Sequence, residues 1–177
     1  MIEREVKIRV SDLAALRPRL EAMGATRTGE EHEINHILDT ADGSLQRRSE
    51  VLRVRRAGKS TFTWKGIAAD QDPYGHKARE ELEVEIVADG AETLLAILGK
   101  LGYNEVIRYT KHRETWRWQS VEIALDRLDF GNFIEIEGEA AIIQDALHRL
   151  QLDGEPIEQR SYPELQRVMQ LERERAQ

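Results

Sequence analysis

Met1-Ile-Glu-Arg-Glu-Val-Lys-Ile-Arg9 opens the chain, with Glu3, Glu5, Lys7 and Arg9 alternating with Arg4, Val6 and Ile8. Strand side chains alternate between faces with period two, so one face of this segment carries two acids and two bases while the other is mostly apolar. The same alternation returns downstream. Arg53 and Arg55 alternate with Leu52 and Val54; Thr61, Thr63 and Lys65 with Phe62 and Trp64; Glu81, Glu83 and Glu85 with Leu82, Val84 and Ile86. Further on, Lys111, Arg113 and Arg117 oppose Trp116 and Trp118; Glu122, Ala124 and Asp126 oppose Val121, Ile123 and Leu125; Glu135 and Glu137 oppose Ile134 and Ile136. A single strand of this kind is ordinary on a solvated sheet face. Its recurrence, with acids and bases in separate clusters, predicts a sheet with one heavily charged face.

Helices punctuate the strands. Ser11 reads as an N-cap, and Leu13, Leu16, Leu20 and Met23 recur at helical spacing until Gly24 stops the helix. Thr26 to Gly29 reads as a connector, and Glu31 to Thr40 as a strand ending in the turn Thr40-Ala-Asp-Gly-Ser44. Residues 51 to 57 and 60 to 66 form a hairpin around Gly58 and Lys59. Gly66 to Ala78, containing Asp72-Pro-Tyr-Gly75, is a longer loop before the strand Arg79 to Val87. Strands near 106 to 118, 120 to 127 and 132 to 138 follow, the last turn being Asp129-Phe-Gly-Asn132. Further helices are expected from about Ala91 to Leu101, Glu139 to Leu150 and Tyr162 to Arg173. Glu3-x-Glu5 precedes a helix ending at Gly24 and Glu81-x-Glu83 one ending at Gly102, both intervals 21 residues, with Glu135-x-Glu137 and Gly154 a looser third copy. The repetition predicts equivalent helices covering equivalent strand faces.

The helices need an apolar surface, and the strands offer one. Helices on that side push the charged face either to water or inward, and about eight strands suffice for a small closed barrel with room for a ligand. Enclosed charges without partners cost on the order of several kcal/mol each, which makes such a lumen a poor structural core. Its natural guest is a polyanion with divalent cations: carboxylates take hard cations, while Arg and Lys take phosphate oxygens. Side chains at i and i+2 lie roughly 7 Å apart and neighbouring strands about 5 Å apart, so carboxylates from several strands can converge on one cation.

At 177 residues, 33% of them charged and 40% hydrophobic, the chain is long enough to bury a core within one domain spanning 1–177. The absence of cysteine excludes disulfides, thiolate zinc sites and cysteine nucleophiles. The longest aliphatic run, Leu94-Leu-Ala-Ile-Leu98, is too short for a membrane span, and Met1 leads directly into a charged strand, so a cytoplasmic protein without membrane association is expected. A net charge of −7 argues against a nucleic-acid partner. Gly58-Lys59-Ser60 resembles the end of a P-loop, but Arg53 stands where that motif needs glycine, so a hairpin turn accounts for it. The five histidines show no metal-ligand spacing on a helix.

Glu3-Arg-Glu-Val-Lys7 resembles the E-x-E-x-K signature of the CYTH domain family, which includes class IV adenylyl cyclases and thiamine triphosphatases and is also called the triphosphate tunnel metalloenzymes. Leu52-Arg-Val-Arg-Arg56, Thr63-Trp-Lys-Gly66, Arg79-Glu-Glu-Leu-Glu83, Leu125-Asp126, Phe133-Ile-Glu-Ile-Glu-Gly138 and Ser161-Tyr-Pro-Glu-Leu165 follow in the family's order. The resemblance implies an α+β fold: a closed eight-stranded antiparallel β-barrel with a charged lumen, surrounded by about four helices and binding triphosphate with Mg²⁺ or Mn²⁺. Carried over by position, Glu3, Glu5, Glu135 and Glu137 would ligate metal, with Asp126, Glu81 and Glu83 beside them. Lys7, Arg53, Arg55, Lys65, Lys111 and Arg113 would grip the phosphates, and Glu5, Glu137 and Lys65 would carry the chemistry. Two departures stand out: Ile37-Leu38 replace the family's Tyr-Phe before Asp39, and no C-terminal lysine of the thiamine triphosphatase type is present, Arg160 and Tyr162 being the nearest polar candidates.

Hydrolysis of a triphosphate, inorganic tripolyphosphate or a nucleoside triphosphate, is the expected activity. Cyclisation of ATP to cyclic AMP and pyrophosphate is the alternative, and a non-catalytic polyphosphate- or nucleotide-binding module the third reading. The partner is a small triphosphate, bound by a monomer or homodimer.

Overall fold

The period-two segments fold as strands: β1 (Ile2–Val10), β2 (Thr26–Asp39), β3 (Val51–Arg56), β4 (Ser60–Ile67), β5 (Lys77–Ile86), β6 (Asn104–Trp118), β7 (Val121–Leu128) and β8 (Gly131–Glu137). Among the described residues five helices accompany them: α1 (Arg17–Ala22), α2 (Ser44–Arg47), α3 (Gly90–Lys100), α4 (Ala140–Arg149) and α5 (Tyr162–Arg175). In this computed structural model, which describes residues 2–67, 76–87 and 90–175, the α+β fold closes its antiparallel strands in a ring ordered β1-β5-β4-β3-β2-β6-β7-β8. β1 closes it, pairing with β5 through Glu3↔Arg79 and with β8 through Lys7↔Glu135.

Three apolar clusters hold the ring. Val6, Ile8, Ile123, Leu125, Ile134 and Ile136 on the outer faces of β1, β7 and β8 pack with Leu20 of α1 and with Ile143, Ala146 and Leu147 of α4. Each such aliphatic side chain contributes about 1.5–3 kcal/mol when fully buried. Leu38, Leu52 and Val54 pack under Leu45 of α2 and Ala91 and Leu98 of α3. The third cluster lies on the inner side: Ile37, Tyr109 and Phe133 share the inward parity and meet Tyr162 and Leu165 of α5. The inner wall is thus apolar where α5 docks.

Several boundaries differ from the sequence expectation, each for a local reason. The first helix does not run from Ser11, because Pro18 occupies its first turn; proline lacks an N–H and clashes with the preceding turn, so it is tolerated at a helix start and not inside. Thr26 to Gly29 is strand rather than connector: β2 continues along the long partner β6 as far as Thr26↔Arg117, with a register irregularity between Arg27 and Gly29. The fifth helix, α2, follows the expected turn because the Asp39 carboxylate accepts the N–H groups of Leu45 (2.9 Å) and Gln46 (3.1 Å), satisfying its open N-terminus. The loop expected at Gly66 to Ala78 loses residues at both ends to β4 and β5, and its centre, including Asp72-Pro-Tyr-Gly75, lies outside the described residues.

Equivalent helices do not cover equivalent faces. The first and third copies of the strand-helix repeat share one cluster. α3, following β5, packs instead on β3 and β6, and Leu82 and Val84 on the outer face of β5 stay 59% and 60% exposed. Among the described residues no helix is long and apolar enough to cross a membrane.

Candidate active site

The ring encloses a cavity of about 920 Å³. Strand parity delivers its lining: Glu3, Glu5 and Lys7 from β1; Arg53 and Arg55 from β3; Lys65 from β4; Glu81 and Glu83 from β5; Lys111 and Arg113 from β6; Glu135 and Glu137 from β8. Every residue assigned above to metal, phosphate or the chemistry lines this space except Asp126, which leaves from the same inner face but is fully buried against Arg113 and Tyr162. Arg117, grouped with Lys111 and Arg113 by alternation, is exposed, 3.7 Å from Glu122.

Around Asp126 the wall is neutralised. Arg113 grips both carboxylate oxygens, Nε to Oδ1 at 2.8 Å and Nη2 to Oδ2 at 2.6 Å, and the Tyr162 hydroxyl donates to Oδ2 at 2.8 Å. Lys111 Nζ lies 3.3 Å from Asp126 and 3.5 Å from Glu33, while Arg55 lies 3.7 Å from Glu33. Burial works to raise the pKa of Asp126, but Arg113 and Lys111 outweigh it and hold the carboxyl far below its ordinary range. Glu33 follows the same logic, burial being overcome by Lys111, Arg113 and Arg55. Arg113 also donates to Glu135, and Lys7 Nζ lies 3.8 Å from that carboxylate and 4.4 Å from the centre of the Tyr162 ring.

Around Glu3 the balance reverses. Glu3 lies beside both Glu137 and Glu81, so three carboxyls crowd one another. Lys65 is the ammonium among them, 2.5 Å from Glu3 and 2.8 Å from Glu81. Burial and the charge of Glu3 push Glu137 up to about 8 even though solvent reaches its side chain, and burial together with the bond to Glu81 raises Glu3. For Glu81, burial is outweighed by the bond from Glu3 and by Lys65, and the carboxyl titrates low. Glu5 faces Glu137 directly across β1 and β8. Acids crowded until one must keep its proton are oxygen donors short of positive charge, which is the donor set a hard divalent cation prefers. Among the described residues, no three such side chains already converge as a metal cage. The residues therefore suit a divalent ion in chemistry, with Lys65 standing among them.

On β3, Arg53 Nη2 lies 3.3 Å from the Thr63 hydroxyl and 3.6 Å from Glu83, and Thr63 donates to Glu83 at 2.6 Å. The Nε atoms of Arg53 and Arg55 are buried without a hydrogen-bond partner. The charge pattern alone misses Glu33, Tyr109, Lys77 and Arg79, although parity places Glu33 with Ile37, Tyr109 with Lys111, and Lys77 and Arg79 with Glu81. At one end the cavity shares Ile37, Val51, Lys77, Arg79, Ser161 and Pro163 with an annex of about 330 Å³, whose wall adds Ile67, Val106 and Ile107.

The sequence profile of the CYTH domain matches residues 1–161. Over 177 aligned residues the chain is 28% identical to a protein of Methanocaldococcus jannaschii that carries the provisional name adenylate cyclase, covering 93% of this chain and 98% of that one. A solved structure from Pyrococcus horikoshii is 28% identical and superposes with a TM-score of 0.77, over 92% of this chain and 98% of the other. A Hippeastrum protein at 20% identity shares the fold, with a TM-score of 0.72 over 94% and 96% of the two chains; it is described as a provisional adenylyl cyclase with a dominant triphosphatase activity.

Proposed function

This chain belongs to the CYTH domain family, and from that premise we propose that its ring is a triphosphate tunnel with a charged lumen, in which a divalent cation and basic side chains hold the substrate for hydrolysis. The observation that carries the reading is the division of one wall into acids short of positive charge around Glu3 and bases held rigidly around Asp126.

Mg²⁺ or Mn²⁺ held among Glu3, Glu5, Glu135 and Glu137, with Glu81 beside them, would polarise phosphoryl oxygens and lower the pKa of the attacking water. The chain's own residues supply the rest. Arg113 and Lys111 are held in place by Asp126 and Glu33, so they present donors without further ordering cost. The unpartnered Nε groups of Arg53 and Arg55 offer two more donors that phosphate oxygens would satisfy. Asp126 and Glu83, already engaged by Arg113 and by Thr63 and Arg53, serve as anchors for these bases rather than as metal ligands. Glu5 and Glu137, adjacent across two strands, would orient the water, and Lys65 would neutralise charge developing on the phosphoryl group.

The annex favours a second reading. Bare tripolyphosphate has no use for a wall of Ile67, Val106 and Ile107, whereas the organic part of a nucleoside triphosphate does, and fixing a ribose is what cyclisation requires. One assay separates the readings: incubate the protein with ATP or tripolyphosphate and Mg²⁺ or Mn²⁺, then resolve the products. Released orthophosphate that disappears with chelator is the expected result; cyclic AMP with stoichiometric pyrophosphate establishes the cyclase, and undiminished turnover in chelator overturns the metal-dependent mechanism.

A further inference from the structure

Lys65 differs from Lys111 and Arg113 in what it touches. Lys111 and Arg113 are held by the fully buried carboxylates of Glu33 and Asp126, whereas the ion-pair partners of Lys65 are Glu3 and Glu81, both facing the cavity and both within reach of an entering ion. Its side chain is 18% exposed and ends on a flexible four-carbon stem that can swing without backbone movement.

We propose that Lys65 is a displaceable internal counter-cation: it fills the place of the divalent ion between Glu3 and Glu81, and turns onto the phosphate chain when that ion enters. The inference rests on the triphosphate reading above and adds a coupling to it. An ammonium and a divalent cation cannot share the same two carboxylates, because like charges a few ångströms apart repel strongly where solvent is scarce. The ammonium must then find another anion, and β3 and β4 place Arg53, itself cationic, in the adjoining strand, so a phosphate oxygen is the partner that serves both bases. Divalent ion and triphosphate consequently assist each other's binding by the same factor, since such coupling is reciprocal.

Calorimetric titration of the metal-free protein with Mn²⁺ alone tests this, comparing wild type, Lys65→Met, and Arg53→Met as a control that removes an equal charge from the same cavity. Lys65→Met should bind Mn²⁺ at least tenfold more tightly than wild type, and Arg53→Met no more than threefold. Repeating the titrations with saturating imidotriphosphate, a non-hydrolysable analogue, should tighten Mn²⁺ binding in wild type by tenfold or more and in Lys65→Met by clearly less. Equal Mn²⁺ affinities in the two variants, or an undiminished effect of imidotriphosphate in Lys65→Met, would overturn the proposal while leaving the triphosphate reading intact. Failure of wild type to bind either Mn²⁺ or imidotriphosphate would remove that reading and this one together. Should Lys65→Met not fold without metal, Lys65→Arg decides: its fixed fork should hold Glu3 and Glu81 more firmly and weaken Mn²⁺ binding threefold or more, and equal or tighter binding counts against the role.

Discussion

Asp126 and Glu3 stand on the same inner wall, yet their carboxyls titrate in opposite directions. Asp126 has Arg113, Lys111 and Tyr162 converging on it and is driven low; Glu3 has two further acids in contact and one ammonium between them, and is driven up. Burial penalises charge at both places. The number of partners decides which acid keeps its proton, and so which part of the wall is neutralised and which part stays short of positive charge.

Removing Arg113 should break this contrast most severely. Arg113→Ala leaves Asp126 buried with two of its three partners, and loss of one member of a buried ion pair costs about 3–5 kcal/mol. Denaturant unfolding should register that loss together with abolished turnover; a change below about 1 kcal/mol would show the Asp126 region to be less committed than its geometry implies. The pH dependence has a definite sign. The stability that Asp126 supplies is present above the ordinary aspartate range and is lost as pH falls below it.

At the other region the same experiment should give nearly the opposite result. Glu137→Gln removes a repelling acid, so the metal-free protein should melt at an equal or higher temperature while turnover falls on the order of 100-fold or more, beyond the range typical of losing a residue that merely supports a metal ligand. Because the Glu137 pKa stands at about 8 against an ordinary 4.5, its contribution to stability is complete below 4.5 and is lost as pH rises through 8. The melting temperature of wild type should therefore drop relative to Glu137→Gln across that window, and parallel curves would show that the crowding of acids is not felt in solution.

The smallest effect sharpens the boundary between the regions. Tyr162→Phe keeps the ring beside Lys7 but deletes the donor to Asp126, whose oxygens retain Arg113 and Lys111, so a loss of about 0.5–1.5 kcal/mol is expected with turnover largely preserved. A larger kinetic than thermodynamic effect, read from kcat and unfolding on the same samples, would assign the hydroxyl to the substrate.

Much of this contrast is legible in the amino-acid sequence. Period-two alternation puts Glu3, Glu5, Lys7, Arg53, Arg55, Lys65, Lys111, Arg113, Glu135 and Glu137 on one face, and all of them line one cavity. Alternation also puts Asp126 with them, and there it stops short: parity states which face a side chain leaves from, not whether neighbours from other strands close over it. Pro18 is legible as well, and the rule that keeps proline out of helix interiors accounts for the shortened first helix. The short helix after Asp39 leaves a weaker signal, because its cap reaches across six residues.

Sequence alone determined the alternation, and with it which residues of each strand share a face, because the pleat of a strand ties side-chain direction to residue parity. It could not determine who meets whom. Lys65 reaches Glu3 across 62 residues of chain, and Tyr162 reaches Asp126 across 36, through ring closure by β1 and the docking of α5. Charge interactions depend on distance and surrounding solvent, which only the closed ring specifies. That is why the same residue types became a finished network at Asp126 and a cluster short of positive charge at Glu3.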